Sequence, residues 1–170
     1  LDHLAPVFQT VSTLSQEIPK STALIGFAGA PWTVAVYMVE GRGGTDCGTA
    51  RRWAYEDPEG FGQLIDILVE ATSQYLNQQI SEGVETIQLF DSWAGVLSES
   101  QFRRWVIDPT IKIVQNIRKE NPDIPIIGFP RHAGVQYETY IRETGVDGVS
   151  LDSGVPLDWV KNNLQPLCTV

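Results

Sequence analysis

Short apolar runs alternate along the chain with longer stretches in which apolar residues recur at helical spacing. The apolar runs cover residues 22–27, 86–91, 124–129 and 148–152, and residues 167–170 begin a fifth. Near-continuous apolar runs of this length, separated by helices, are typical of buried parallel strands. The pattern therefore predicts an α/β fold of four to five βα units.

The helical stretches contain start and stop signals. Asp57 precedes Pro58, a pair that predicts a helix cap followed by the first helical residue. Ser98 and Gln101 have the spacing of a capping box, and Pro109 predicts a restart or kink in the helix that follows. The predicted helices begin at about residues 2, 32, 58, 98, 133 and 156, and the second of them carries Tyr37.

Composition narrows the class of protein. The 170 residues are 42% hydrophobic and 19% charged, which excludes a disordered tail, a collagen-like repeat and a membrane protein. A net charge of -9 provides no general field for nucleic acid or anionic lipid. Cys47 and Cys168 are too few for a disulfide framework and lack metal-ligand spacing, and the sequence shows neither a membrane span nor a signal peptide. We expect a cytoplasmic protein that binds neither nucleic acid nor membrane.

The length leaves two topologies open. A closed (β/α)8 barrel needs about 250 residues, whereas a doubly wound sheet of five strands fits the chain. The first strand lacks a Gly-rich phosphate fingerprint, Leu1 is not a Met, and residues 166–170 read as an interrupted strand. We therefore expect residues 1–170 to be an incomplete single domain. In either topology the loops after the strands gather on one rim, where active sites lie.

Several residues near this predicted rim have both a structural and a functional interpretation. Tyr37 either aims its hydroxyl across the rim or is a core aromatic residue. Ser92 either contacts a ligand or caps a helix, and Asp152 is expected to cap the turn after its strand. His132 has no partner visible in the sequence. The loop at 41–44 is either a surface turn or a lid that carries Arg42 to a carboxylate.

The sequence lacks the motifs of several well-known classes of enzyme and nucleotide-binding protein. It contains no P-loop, no G-x-G-x-x-G, no G-x-S-x-G and no H-E-x-x-H motif. With two His and two Cys far apart, a zinc site is not expected. Motif chemistry therefore identifies no metal or nucleotide cofactor.

Three motifs closely resemble the uroporphyrinogen decarboxylase family. The first is Gly-Phe-Ala-Gly-Ala-Pro-Trp-Thr at 26–33, followed by Tyr-Met-Val-Glu-Gly at 37–41. The second is Gln-Leu-Phe-Asp-Ser-Trp-Ala-Gly at 88–95, and the third is Gly-Val-Ser-Leu-Asp at 148–152. Their order and spacing agree with the family, and the similarity runs across nearly the whole chain.

The resemblance implies a partial (β/α)8 TIM barrel. It implies the activity of a carboxy-lyase that removes CO2 from the four acetate side chains of uroporphyrinogen III, giving coproporphyrinogen III in porphyrin and haem biosynthesis. It also implies that no cofactor or metal is used and that the full-length protein is a homodimer. Tyr37 matches the family's catalytic, substrate-binding tyrosine, and Ser92 its serine that contacts substrate carboxylates. Phe27 and Phe90 match apolar residues that line the cleft.

The chain also departs from the family pattern. The family's N-terminal arginine stretch, its pyrrole-binding aspartate and its C-terminal histidine have no counterpart here. Trp93 replaces a frequent histidine, and Arg131 is taken to stand in for a lysine. The chain therefore resembles the central half of the enzyme, and we expect it to be inactive in isolation.

Two alternatives stay open. One is a corrinoid or thiol methyltransferase of the same barrel superfamily, although the zinc-binding H-x-C pattern of such enzymes is absent. The other is a non-catalytic partial barrel that binds a tetrapyrrole.

Overall fold

Four parallel strands form one sheet. The computed structural model describes residues 2–43 and 46–170. The strands are β1 (Ile25–Gly29), β2 (Thr86–Asp91), β3 (Ile126–Pro130) and β4 (Gly148–Val149). They lie in the order β1-β2-β3-β4, and each neighbouring pair is parallel. The predicted α/β class is confirmed.

Helices connect the strands. Helices α2 to α4 lie between β1 and β2, α5 and α6 between β2 and β3, and α7 between β3 and β4. The helices are α1 (Ala5–Glu17), α2 (Pro31–Glu40), α3 (Gly48–Glu56), α4 (Pro58–Ser81), α5 (Glu99–Phe102), α6 (Asp108–Glu120), α7 (Gln136–Thr144) and α8 (Leu157–Asn163). None of those in the described part of the chain combines the length and hydropathy required of a transmembrane segment.

The strand order distinguishes the two topologies that the sequence left open. In a doubly wound sheet the strand order reverses at a switch point. The four described strands instead follow one another in space in the order in which they follow one another in the chain. This succession is that of neighbouring units in a (β/α)8 barrel, so the structure is consistent with a partial TIM barrel.

One face of the sheet is covered and the other is open. Along β2, Ile87, Leu89 and Asp91 are buried, whereas Gln88 and Phe90 are partly exposed. Helices α4 and α6 pack against each other, and α4 also contacts β1 and β2. The alternation of buried and accessible residues means that the helices cover one face, while the face that lines the interior of a closed barrel is accessible.

Phe61 of α4 lies at the centre of the covered side. Its ring is fully buried, and the ring centroids of Trp32, Trp53 and Trp105 lie 5.7, 5.4 and 5.0 Å away. All three pairs have the edge-to-face geometry that aromatic rings favour. This aromatic cluster fixes α2 and α3 against α4.

The structure changes several predicted boundaries. Strands β1 and β3 each begin later than expected, and Pro125, which has no N–H to donate, immediately precedes β3. Strand β4 is reduced to two residues. The predicted fifth strand is represented only by an isolated bridge between Gly148 and Thr169.

The helix signals had mixed outcomes. The Asp57 carboxylate accepts a hydrogen bond from the backbone N–H of Gly60 at 2.9 Å, so the predicted cap of α4 is confirmed. The predicted capping box is wrong, because Ser98 makes no side-chain cap bond and Gln101 instead accepts the indole N–H of Trp105 at 2.6 Å. A π-helical turn at Arg103–Ile107 joins α5 to α6, where Pro109 lacks the N–H of a regular helix.

Candidate active site

The loops after β1, β2 and β3 are joined by backbone hydrogen bonds. The N–H of Ala30 donates to the carbonyl of Phe90 at 2.9 Å, and the N–H of Arg131 donates to the carbonyl of Asp91 at 3.1 Å. The N–H of Gly95 donates to the carbonyl of Arg131 at 3.0 Å. The segments that sequence analysis assigned to one rim therefore adjoin at the carboxyl ends of the strands.

Gly95 permits the close approach of two of these loops. A Cβ atom at position 95 would lie 2.7 Å from the carbonyl oxygen of His132, well inside van der Waals contact. The loop after β2 can touch the loop after β3 only because this residue has no side chain.

Tyr37 lies on α2 at this rim. Its side chain is 45% exposed, and its ring packs edge-to-face against Trp93 with centroids 6.2 Å apart. Gly43 packs closely against the same ring, since a Cβ atom at position 43 would lie 2.7 Å from Tyr37 Cε1. The interpretation of Tyr37 as a core aromatic residue is wrong, because nearly half of the side chain reaches solvent.

The turn that contains Ser92 is held at both ends by α2. The Thr33 hydroxyl donates to Asp91 Oδ1 at 2.6 Å and accepts the backbone N–H of Trp93 at 3.3 Å. The indole N–H of Trp32 donates to the carbonyl of Trp93 at 3.0 Å. Ser92 itself is partly exposed and lies between these two anchored residues. Since Trp93 also packs on Tyr37, the structure brings the Tyr37 and Ser92 segments together.

Phe27 and Phe90 lie on the open face of the sheet. Their rings meet edge-to-face at 5.8 Å, and Phe27 is 60% exposed. Phe129 of β3 extends this row, with its ring centroid 5.9 Å from that of Phe90. Sequence analysis missed Phe129, although its position at the end of the third apolar run was a usable signal. The three rings form an apolar wall next to the rim.

Asp91 is the second site feature that sequence analysis missed. Its side chain is 2% exposed, and burial raises the pKa of the carboxyl to about 7, although hydrogen bonds from the hydroxyl and backbone N–H of Thr33 oppose the rise. Because desolvation disfavours the charged form, the group takes up a proton near neutral pH. The available signal was an acidic residue at the end of an otherwise apolar strand, directly before Ser92.

Asp152 organises the loops after β3 and β4. Its carboxylate accepts the backbone N–H of Gly154 at 2.9 Å, which confirms the predicted turn cap, and also the N–H of His132 at 2.8 Å. Burial raises its pKa, but these hydrogen bonds outweigh that effect and hold the pKa below its usual range. His132 adopts a left-handed backbone with φ of 63°. These residues border a cavity of about 450 Å³ whose wall includes Trp159.

The cations near the rim are exposed. They are Arg42 and Arg131. Part of the predicted lid, residues 44–45, lies outside the described residues. Within 2–43 and 46–170 no group of three or more His, Cys, Asp or Glu side chains is arranged to hold a metal ion.

The arrangement defines the class of protein: a (β/α) barrel unit with phenol and hydroxyl groups at its rim and an aromatic wall on its inner face. The family model described as Uroporphyrinogen decarboxylase (URO-D) matches residues 1–170. The chain therefore belongs to the uroporphyrinogen decarboxylase family.

Individual relatives agree with this assignment. The chain is 56% identical over 169 residues, 99% of its length, to a uroporphyrinogen decarboxylase of Rhodospirillum rubrum, and it covers 49% of that protein. It is 48% identical over 98% of its length to a protein of the same name from Rhizorhabdus wittichii, of which it covers 48%. The chain thus spans about half the length of the curated relatives it matches.

Proposed function

We propose that the chain provides substrate-binding elements of a uroporphyrinogen decarboxylase. The enzyme removes CO2 from the four acetate side chains of uroporphyrinogen III and yields coproporphyrinogen III. The observation that carries the proposal is the joint anchoring of the Tyr37 and Ser92 segments through Trp93, beside the Phe27 and Phe90 rings. The names and similarity of the relatives support the same substrate.

The side chains suit an anionic macrocycle. The hydroxyls of Tyr37 and Ser92 donate hydrogen bonds that orient acetate or propionate carboxylates. The rings of Phe27 and Phe90 pack against the tetrapyrrole and exclude water from its pyrrole units. Tyr37 is the catalytic residue in this scheme because its hydroxyl touches the carboxylate-bearing substrate.

The chemical step needs no metal or organic cofactor. Protonation of a pyrrole carbon at the acetate arm makes the ring an electron sink. The bond between the methylene and the carboxylate then breaks, CO2 leaves, and its electron pair enters the ring. The methylene carbon takes up a proton, and the ring proton is released, so that an acetate becomes a methyl group with net uptake of one proton. A positioned hydrogen-bonding environment stabilises the transient cation.

We place the enzyme in haem and porphyrin biosynthesis in the cytoplasm, as a homodimer that binds neither nucleic acid nor membrane. The family membership supports the pathway and the dimer, and the net charge of -9 supports the absence of nucleic-acid binding.

A chimera tests the proposed activity. In it, this chain replaces the matching half of the Rhodospirillum rubrum relative, and product is measured as coproporphyrin by fluorescence after oxidation. We expect the chimera to convert uroporphyrinogen III and the isolated 170-residue chain to show no turnover, because an unclosed barrel leaves its inner face open to water. The unmodified relative is the control.

Two outcomes would contradict the proposal. A chimera with native circular dichroism and cooperative unfolding but no product would overturn the decarboxylase function. Turnover by the isolated chain would refute its expected inactivity.

A further inference from the structure

Two buried polar atoms without a partner flank Ser92. Within the described part of the chain, Asp91 Oδ2 and Trp93 Nε1 are the buried side-chain nitrogen and oxygen atoms that lack a hydrogen bond. Buried polar atoms are paired in most native structures, so unpaired ones indicate a locally specialised arrangement. Asp91 is the last residue of β2, and Trp93 lies in the turn that follows it and that contains Ser92.

The same turn depends on one hydroxyl. Thr33, in the first turn of α2, is buried and uses its hydroxyl twice, as donor to Asp91 and as acceptor from the N–H of Trp93. The hydroxyl thus links the residue before Ser92 to the residue after it. The buried Asp91 carboxyl fixes the direction of the hydroxyl proton, which leaves an oxygen lone pair facing the N–H of Trp93.

We propose that Asp91 and Thr33 form a positioning pair that holds Ser92 in its substrate-facing conformation. The inference rests on the proposed function, since it gives Ser92 a substrate carboxylate to bind. Neither member of the pair touches the substrate: Asp91 is buried on the helix-covered side of the sheet, and Thr33 lies between it and the turn. The pair acts through the backbone of the Ser92 turn.

An exclusively structural role would give different results. If Asp91 and Thr33 only tied α2 to the sheet, their loss would lower the free energy of unfolding and leave the folded enzyme's KM unchanged. A positioning pair instead lowers substrate affinity when broken, because a misplaced Ser92 no longer meets the carboxylate. The Trp93 N–H would also lose its acceptor and exchange faster with solvent.

The test compares Thr33→Val, which keeps the shape of the side chain but removes its hydroxyl, with Thr33→Ser, which keeps the hydroxyl. Both are made in the chimera, and the same comparison is made between Asp91→Leu and Asp91→Asn. Hydrogen exchange of peptides covering residues 91–97 reports the turn, and steady-state kinetics separate KM from kcat. We expect Thr33→Val and Asp91→Leu to speed exchange and raise KM about tenfold, the scale of one hydrogen bond. Thr33→Ser and Asp91→Asn should leave both the exchange rate and KM unchanged.

If the amide hydrogens of residues 91–97 exchange no faster in Thr33→Val than in the unmodified chimera, the proposed positioning pair is refuted. If they exchange faster but KM is unchanged, the Asp91–Thr33 contact stabilises the turn without positioning Ser92, which also contradicts the proposal. If Thr33→Val does not fold, Thr33→Ala provides the same comparison with Thr33→Ser. Failure of the proposed function is distinguished from failure of the pair, because an unmodified chimera without product leaves the exchange result intact. In that case faster amide exchange in Thr33→Val still shows that Asp91 and Thr33 anchor the Ser92 turn, and unchanged exchange refutes the anchoring.

Discussion

Replacing Asp91 with Asn is expected to make the protein progressively more stable than the wild type as the pH rises from about 4 to about 7. Burial raises the pKa of the Asp91 carboxyl from 3.8 to about 7 in the folded protein. Over this interval the folded state holds a proton that the unfolded state releases, so increasing pH favours unfolding of the wild type. The pKa change lowers the wild type's free energy of unfolding by roughly 4 kcal/mol relative to its value at low pH, and this loss is complete only above about pH 7.

Asparagine has no proton to lose, and its side-chain oxygen still accepts the Thr33 hydroxyl. Tyr140, which faces Asp91 from α7, is fully buried, and its pKa is raised, so it stays neutral over the same interval. The difference between variant and wild type therefore isolates Asp91. Urea unfolding at pH 4, 5, 6, 7 and 8 measures it, with Asp123→Asn, an exposed site, as the matched control. A difference that stays constant with pH would contradict the buried, protonated carboxyl.

Replacing Phe61 with Ala is expected to lower the free energy of unfolding by about 3–5 kcal/mol. The fully buried ring is surrounded by three tryptophans, so its removal leaves a cavity that the surrounding aromatic rings fill poorly. Trp32 belongs to this cluster and also donates its indole N–H to the carbonyl of Trp93. The Phe61→Ala substitution should therefore loosen the packing of Trp32 at the rim as well as the packing of the core.

Ile67 provides the matched control for this prediction. It lies on the same helix, α4, but its side chain is 65% exposed. Ile67→Ala should change the free energy of unfolding by less than about 1 kcal/mol. Chemical denaturation of the three proteins measures both values, and a similar loss for the two variants would refute the central role of the Phe61 cluster.

The sequence predicts best what depends on local patterns. Strand β2 follows from a near-continuous apolar run, and the cap at Asp57 follows from a side chain that bonds three residues ahead. The ends of β1 and β4 are less predictable, because pairing with neighbouring strands determines them. The Ser98 capping box did not form, and Gln101 accepts the indole N–H of Trp105, a residue four positions further along the chain.

In the candidate site, too, local motifs were predictable from the sequence, whereas contacts between distant segments were not. Family motifs identified Tyr37 and Ser92, but the contact that joins their segments, through Trp93, arises only when α2 folds back onto the end of β2. The burial of Asp91 depends on which face of β2 the helices cover. The contact through Trp93 has no signature in residue spacing.

The central claim, that Tyr37 and Ser92 share one substrate site, is tested most directly by a double-mutant cycle in the active chimera. Tyr37→Phe and Ser92→Ala remove one hydroxyl each, and Tyr55→Phe, at an exposed tyrosine of α3, is the matched control. We predict that each site variant lowers kcat/KM for uroporphyrinogen III about tenfold to a hundredfold without altering the unfolding midpoint, the scale of a hydrogen bond to a charged group. The double variant should lose less than the product of the two effects, and Tyr55→Phe should match the parent. Unchanged kcat/KM in Tyr37→Phe, or fully independent losses, would contradict the shared site.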